Sequence, residues 1–167
     1  ADCVEAVVDV KQAEGLESTR IVLITDAAGL DKGDVKRGLE VMARNNGEIW
    51  GKLDAGTEEY FKLVNRTNVK FERILNNLLE TSKVRPIIIQ SLFFKVHGEA
   101  MSEAELEAYC GRLRDITDGG GQIREVHLYT VARPTPETYA TKLEVIELEQ
   151  MADMIRERAQ LAVSVFP

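Results

Sequence analysis

At 167 residues and 18.7 kDa, with 44% hydrophobic, 29% charged and 6% aromatic residues, the chain has the composition of one soluble globular domain. A net charge of −7, from 21 basic and 28 acidic residues, opposes a general nucleic-acid binder, although a local basic groove stays open. No apolar run approaches the roughly 18 residues of a membrane helix. The two cysteines, Cys3 and Cys110, cannot by themselves build a disulfide framework or a four-thiolate metal site. A reduced, cytoplasmic protein is the plain expectation. The opening Ala1–Glu5 has neither a basic n-region nor an apolar h-region, so no signal peptide is read, and the absence of an initial Met suits a processed chain or a fragment.

The first predicted element is a helix over Cys3–Glu14, stopped by Gly15. Arg20–Thr25 is a short β-branched run, the pattern of a buried strand. Asp31 or Asp34 is expected to cap a helix carrying Val35, Leu39 and Met42, which ends at Asn45-Asn46-Gly47. A second strand, Glu48–Leu53, runs into Asp54-Ala55-Gly56. Thr57 then caps Glu58–Asn65, whose first-turn acids suit the helix dipole.

Lys70–Ser82 carries Phe71, Ile74, Leu75, Leu78 and Leu79 at helical spacing, and Pro86–Phe94 is the strongest strand signal in the chain. Ser102-Glu103-Ala104-Glu105 has the form of a capping box. It opens a helix that buries Leu106, Tyr109, Cys110, Leu113 and Ile116 and ends at Gly119–Gly121. Strand Glu125–Thr130, helix Lys142–Arg158 and a closing strand Ala162–Phe166 complete the series. Five strands separated by helices imply right-handed βαβ units on a parallel sheet, either doubly wound or a (β/α) barrel. In both, ligands sit at the carboxyl ends of the strands.

Those ends carry Thr25 and Asp26; Lys52 and Asp54; Gln90 and Ser91, then Lys95 and His97; and His127, Tyr129, Thr130 and Arg133. Each has a bland reading beside the functional one. Asp26 suits an Asx turn, Lys52 and Asp54 a salt bridge, and Arg133–Pro136 a Pro-rich loop. Gln90 interrupts an apolar run, where a buried amide costs free energy unless bonded. His97 is expected on the surface and His127 on the inner face or rim, and a lone His is more often structural than a ligand. Cys3 and Cys110 are expected as small core residues. Gly119–Gly121 follows a helix, so it reads as a cap and loop rather than a phosphate site.

Three segments resemble radical S-adenosylmethionine (radical SAM) proteins, in a branch near the pyruvate-formate-lyase-activating and wybutosine-synthesis enzymes. They are Ile49–Thr57, Ile88–Phe93 and Val126–Pro134, and Tyr129-Thr130-Val131-Ala132-Arg133-Pro134 is the most specific. The resemblance runs from about Ile21 to the end of the chain and implies a single domain, residues 1–167. That domain would be the C-terminal part of a partial (β/α)6 barrel using S-adenosylmethionine and a [4Fe-4S] cluster. No CxxxCxxC is present, so the resemblance implies that S-adenosylmethionine and the cluster are bound in a longer parent protein, that neither is expected on this chain alone, and that this chain alone is inactive.

By the same resemblance, Thr25 and Asp26 lie near the ribose or methionine, Lys52 and Asp54 near the carboxylate or ribose, Gln90 in the barrel interior, and Tyr129 and Arg133 beside adenine or substrate. In the parent, an electron donor and a small or macromolecular substrate are implied; a tRNA-modifying relative keeps RNA open. No membrane partner is implied, and an exposed sheet edge is expected to favour a homodimer. Two alternatives stand beside this reading: a cluster-free (β/α) enzyme acting on a small anionic ligand through Lys52, Arg133 and a carboxylate, and a noncatalytic binding domain.

Overall fold

The computed structural model describes residues 1–133 and 135–167. Helix α1 (Asp2–Ala13) precedes strand β1 (Ile21–Thr25). Helix α2 (Gly33–Arg44) leads to β2 (Gly47–Lys52), and α3 (Glu58–Asn65) and α4 (Phe71–Val84) together lead to β3 (Ile87–Leu92). After β4 (Lys95–Val96) come α5 (Glu103–Asp118), β5 (Ile123–Tyr129), β6 (Ala140–Thr141), α6 (Val145–Ala159) and β7 (Val163–Phe166).

The main sheet has the order β1-β2-β3-β5-β7, and every neighbouring pair is parallel. These are the five strands expected from the sequence, in chain order. β1 and β7 have one partner each, so the sheet stays open and no closed barrel forms. Sequential crossovers between neighbouring parallel strands place the helices on one face. That face holds the core: Ile49, Ile87, Ile89, Val126 and Leu128 from the strands, with Leu53 just after β2, meet Leu39, Leu78, Tyr109, Leu113, Leu148 and Ile155 from the helices. Gly51 lets the Leu78 side chain pack directly on the strand, in the space a Cβ would take.

Strand alternation sends the remaining side chains to the opposite face, which no helix among the described residues covers. Val22 and Ile24 are 40% and 56% exposed there, and Phe166 is 41% exposed. The helical patterns are legible because each apolar stripe meets this one core. Buried Leu106, Tyr109, Cys110, Leu113 and Ile116 line one side of α5, and Leu148, Met151, Ala152 and Ile155 one side of α6.

Several local expectations are corrected. Neither Asp31 nor Asp34 caps α2: the N-cap is Lys32, without a side-chain bond, while Asp31 pairs with Arg73 and Asp34 with Arg37. Ser102 caps α5 through its Oγ, which accepts from Glu105 N, but the Glu105 carboxylate does not return to close a box. A full capping box opens α6 instead, between Glu144 and Glu147, so that helix starts later than Lys142. Leu143 lies buried before it, its N–H donating to Thr130 Oγ1 at 2.9 Å. Cys110 is buried as expected, but Cys3 lies on the exposed side of α1. β4 and β6 form an antiparallel ribbon that two-residue strands could not announce in the sequence.

Candidate functional site

The carboxyl ends of β1 and β2 frame a small cleft of about 120 Å³ lined by Asp26, Ala28, Lys52, Asp54, Phe61, Asn65, Thr67, Val69 and Ile74. Asp26, Lys52 and Asp54 all line this cleft, whereas Gln90, Tyr129 and Arg133 do not. Local chemistry fixes its walls. Thr25 Oγ1 accepts from Ala27 N, and Asp26 Oδ1 accepts from Ala28 N at 3.0 Å, the Asx turn expected after β1. Ala27 takes a left-handed conformation, and its carbonyl accepts from buried Asn77 Nδ2 at 2.8 Å.

Asp54 is the organiser of the cleft. It is 6% exposed, and its Oδ1 accepts from Leu92 N at 2.9 Å and from Lys52 Nζ at 3.3 Å. Its Oδ2 accepts from Asn65 Nδ2 at 2.9 Å. One carboxylate thus ties the ends of β2 and β3 to α3, as a buried charge requires. Its acceptor sites face protein groups, whereas the Lys52 ammonium remains 31% exposed. Asn65 Oδ1 is buried and receives no donor.

Behind the cleft, Glu105 reaches from α5 to the loop after β2. Its Oε1 accepts from Gly56 N at 2.6 Å and Thr57 N at 3.0 Å, and Oε2 accepts from Thr57 Oγ1 at 2.6 Å. Gly56 lies directly on α5, where a Cβ would strike the Tyr109 backbone nitrogen. Ser91 Oγ donates to Leu53 O at 2.5 Å and lies 2.7 Å from Tyr109 Oη. Burial pushes the Tyr109 phenol well above its usual range. The Asp54–Thr57 segment is therefore held rigidly at the rim.

Across the open face, strand register aligns Lys52 with Gln90, Gln90 with His127, and His127 with Ser164. Gln90 is half-buried on this face, not the fully buried amide its apolar neighbours suggested, because the face has no helix over it. His127 was expected to be structural or rim-facing; it points into this face and is 7% exposed. Its Nε2–H donates to Glu125 Oε1 at 2.8 Å, and Ser164 Oγ donates to Glu125 Oε2 at 2.9 Å. Hydrogen bonding from His127 holds the Glu125 carboxyl below its ordinary range, with Ser164 adding to the effect against burial. His127 Nδ1 is buried without a partner.

Aromatic rings surround that imidazole: Trp50 edge-on at 4.8 Å, Phe166 at 5.2 Å, and Tyr129 at 6.4 Å, itself stacked on Phe166 at 4.7 Å. Lower on the face, buried Glu48 accepts from Arg20, Arg124 and Trp50 Nε1. Burial raises the Glu48 carboxyl, but these donors outweigh it and leave the group below its ordinary range. Arg133 is exposed and stands apart from the cleft residues; its neighbour Pro134 lies outside the described residues. The alternation of Glu125, His127 and Tyr129 was the one signal in the sequence for this array, and it could not show Ser164 joining from another strand.

The donor set can be compared with the cofactors implied above. Cys3 and Cys110 lie on different helices, burial raises the Cys110 thiol to about 11, and no group of three His, Cys, Asp or Glu suited to a metal occurs among the described residues. This chain's own residues do not fit a four-thiolate iron–sulfur cluster. They do fit a zwitterionic ligand: a part-exposed Lys52 ammonium paired with Asp54, an exposed Asp26 carboxylate and an acceptor without a donor on Asn65 share one cleft.

Among solved structures, the chain is similar to a domain of pyruvate-formate lyase-activating enzyme from Bacteroides vulgatus ATCC 8482, with a TM-score of 0.65 at 14% identity. The match covers 98% of this chain and 91% of that one. The likeness is one of fold. No protein-family model matches the sequence, and comparison with curated proteins gives no match. No helix among the described residues is long and apolar enough to cross a membrane.

Proposed function

We propose that this chain is the ligand-facing portion of a radical SAM core and binds S-adenosylmethionine at the carboxyl ends of its strands. The observation that carries this reading is the cleft joining Asp26, Lys52 and Asn65, with complementary groups for an amino-acid zwitterion. The segment resemblance and the fold shared with a pyruvate-formate lyase-activating enzyme domain support it independently.

In this reading Lys52 Nζ pairs with the ligand carboxylate, and Asp26 and Asn65 Oδ1 accept from its ammonium. Asp54 positions Lys52 and Asn65 rather than touching ligand, since its oxygens already accept from protein donors. Thr25 shapes the turn that presents Asp26. Gln90 and Tyr129 border the nucleoside or substrate along the open face, and Arg133 flanks it. When bound, S-adenosylmethionine supplies an activated carbon–sulfur bond, while these residues bind and orient it. The cluster and an electron donor come from outside this chain's residues.

Calorimetric titration of the purified chain with S-adenosylmethionine tests the reading. Binding is expected, and Lys52→Ala should weaken it about tenfold, the effect of losing about 1.4 kcal/mol. Gln90→Ala should weaken it less. No binding by the native chain, or equal affinity in Lys52→Ala, would overturn the assignment.

A second reading, a cluster-free enzyme acting on a small anionic ligand, draws on the Ser164–Glu125–His127 array. Glu125 takes the Nε2 proton of His127 as a hydrogen bond, which leaves Nδ1 as the basic nitrogen. Ser164 bonds Glu125 and not His127, so the array is no nucleophile triad. That reading predicts iron-independent turnover lost in His127→Gln; the first predicts none.

A further inference from the structure

We infer that the cleft between α2 and α4 is a second ligand site, suited to a small monocarboxylate with an apolar body and one hydrogen-bond donor. It lies on the helix side of the sheet, apart from Lys52 and Asn65, and holds about 260 Å³. Pockets for drug-sized ligands run from roughly 300 Å³ upward, so this volume suits a fragment-sized molecule. Helix α2 connects β1 to β2, and α4 precedes β3, so the walls are internal to the β1–β3 stretch.

The floor is apolar and the polar groups are few. Buried Leu30 and Leu39 provide the floor, and Val84, 72% exposed, stands at the rim. Two polar side chains sunk into the α4 wall keep unused bonding capacity. Asn77 is 3% exposed, and its Nδ2 donates to Ala27 O at 2.8 Å. Among the described residues no donor reaches its Oδ1, and the Thr81 hydroxyl has no partner either. Asn77 and Thr81 are four residues apart, on one face of α4, and Arg85 follows at the end of that row. Buried polar groups are ordinarily bonded, so a ligand in this cleft supplies the missing partners.

The charges select the class of ligand. Arg85 Nη1 donates to Leu39 O, and neither Arg85 nor Lys36 pairs with a carboxylate among the described residues. Three carboxylates also line the cleft, but each is drawn to a cation outside the lining. Asp31 binds Arg73 through both oxygens at 3.0 Å, Glu80 binds Lys83 at 2.7 Å, and Glu40 lies 3.9 Å from Arg44. These pairs leave Lys36 and Arg85 for an anion, while the nearby carboxylates oppose a second negative charge. A carboxylate is therefore favoured over a phosphate dianion. The rest of the Arg85 fork, the Lys36 ammonium and the Thr81 hydroxyl donate to it. A hydroxyl on the ligand donates to Asn77 Oδ1, and its apolar body lies on Leu30 and Leu39.

Protein-detected NMR titration of the full chain with 3- and 4-hydroxybenzoate, benzoate, benzamide and inorganic phosphate tests the site. Saturable binding of at least one hydroxybenzoate is expected, with amide shifts gathered at Leu30, Leu39, Thr81 and Arg85. Benzoate should bind about threefold more weakly, and benzamide and phosphate at least about tenfold more weakly. Lys36→Gln, a change at an exposed side chain, should weaken hydroxybenzoate about fivefold, and Thr81→Val, which loses the hydroxyl, by a similar factor. Lys52→Ala should leave this affinity unchanged, which separates the site from the S-adenosylmethionine cleft. No saturable binding of either hydroxybenzoate, shifts centred on Asp26 and Lys52, or native affinity in Lys36→Gln would each overturn the proposal. Phosphate bound as tightly as the carboxylates would overturn the class of ligand. These outcomes are independent of S-adenosylmethionine affinity.

Discussion

Glu105 shows how far a short motif carries at the scale of single residues. Ser-x-x-Glu announced a helix start, and Ser102 does cap α5, but the carboxylate serves a loop 48 residues away in sequence. Nothing local to Ser102 could reveal that, because the partners are backbone N–H groups of Gly56 and Thr57. Glu105→Ala strands both donors in a 7% exposed site, so a loss of about 3 kcal/mol is expected from urea unfolding. Ser102→Ala, which removes an ordinary cap, should cost about 1 kcal/mol. If the two were equal, the carboxylate would be contributing no more than a cap.

Glu125 gives a pH signature at the same scale. Its carboxyl is depressed in the fold, first through the hydrogen bond from His127. The associated stability is complete above the unfolded carboxylate range and disappears as pH falls through the lower folded value. Unfolding midpoints measured downward from about pH 5 should therefore decline more steeply in the native chain than in Glu125→Gln, which has no such proton to take up. Parallel slopes would mean that the His127–Glu125 bond adds nothing to the fold.

Whole elements were more legible than their ends. Apolar spacing located the five strands of the main sheet and most of the helices among the described residues, because each stripe must face the single core, while the Thr57 cap and first-turn acids marked Glu58–Asn65. Caps were less legible: Lys32 stands at the N-cap of α2 without a side-chain bond, so acidic neighbours misled. The β4–β6 ribbon is too short to establish a period. The loop after β2 is the element whose sequence is least replaceable. Gly56 packs against the backbone of α5, and Ala there has no flexible neighbour to displace, so Gly56→Ala should cost about 3 kcal/mol or more in chemical denaturation. Gly98, whose position has open space around it, offers the contrasting Ala variant: its loss arises only from its positive φ and should be near 1 kcal/mol.

For the molecule as a whole, helices on one face of an open parallel sheet leave a second face whose carboxylates Glu48 and Glu125 are paired within the sheet rather than by a covering layer. The order of strands made this face foreseeable, and the alternation of Glu125, His127 and Tyr129 named part of it. Its assembly from β2, β5 and β7 together was hidden, since register between distant strands is not written in any one of them. Trp50, the single tryptophan, stands on this face with Nε1 bonded to Glu48 and its ring against His127. Its fluorescence therefore reports whether a ligand lies along the open face. A ligand running from the Lys52 cleft past Gln90 should shield the indole and lower acrylamide quenching about twofold. The larger cleft between α2 and α4, lined by Leu30, Leu39, Asn77 and Arg85, opens on the helix side of the sheet. A ligand lodged there would leave Trp50 quenching unchanged. Saturable binding of S-adenosylmethionine without a change at Trp50 would move the site off the open face and separate the ligand from His127.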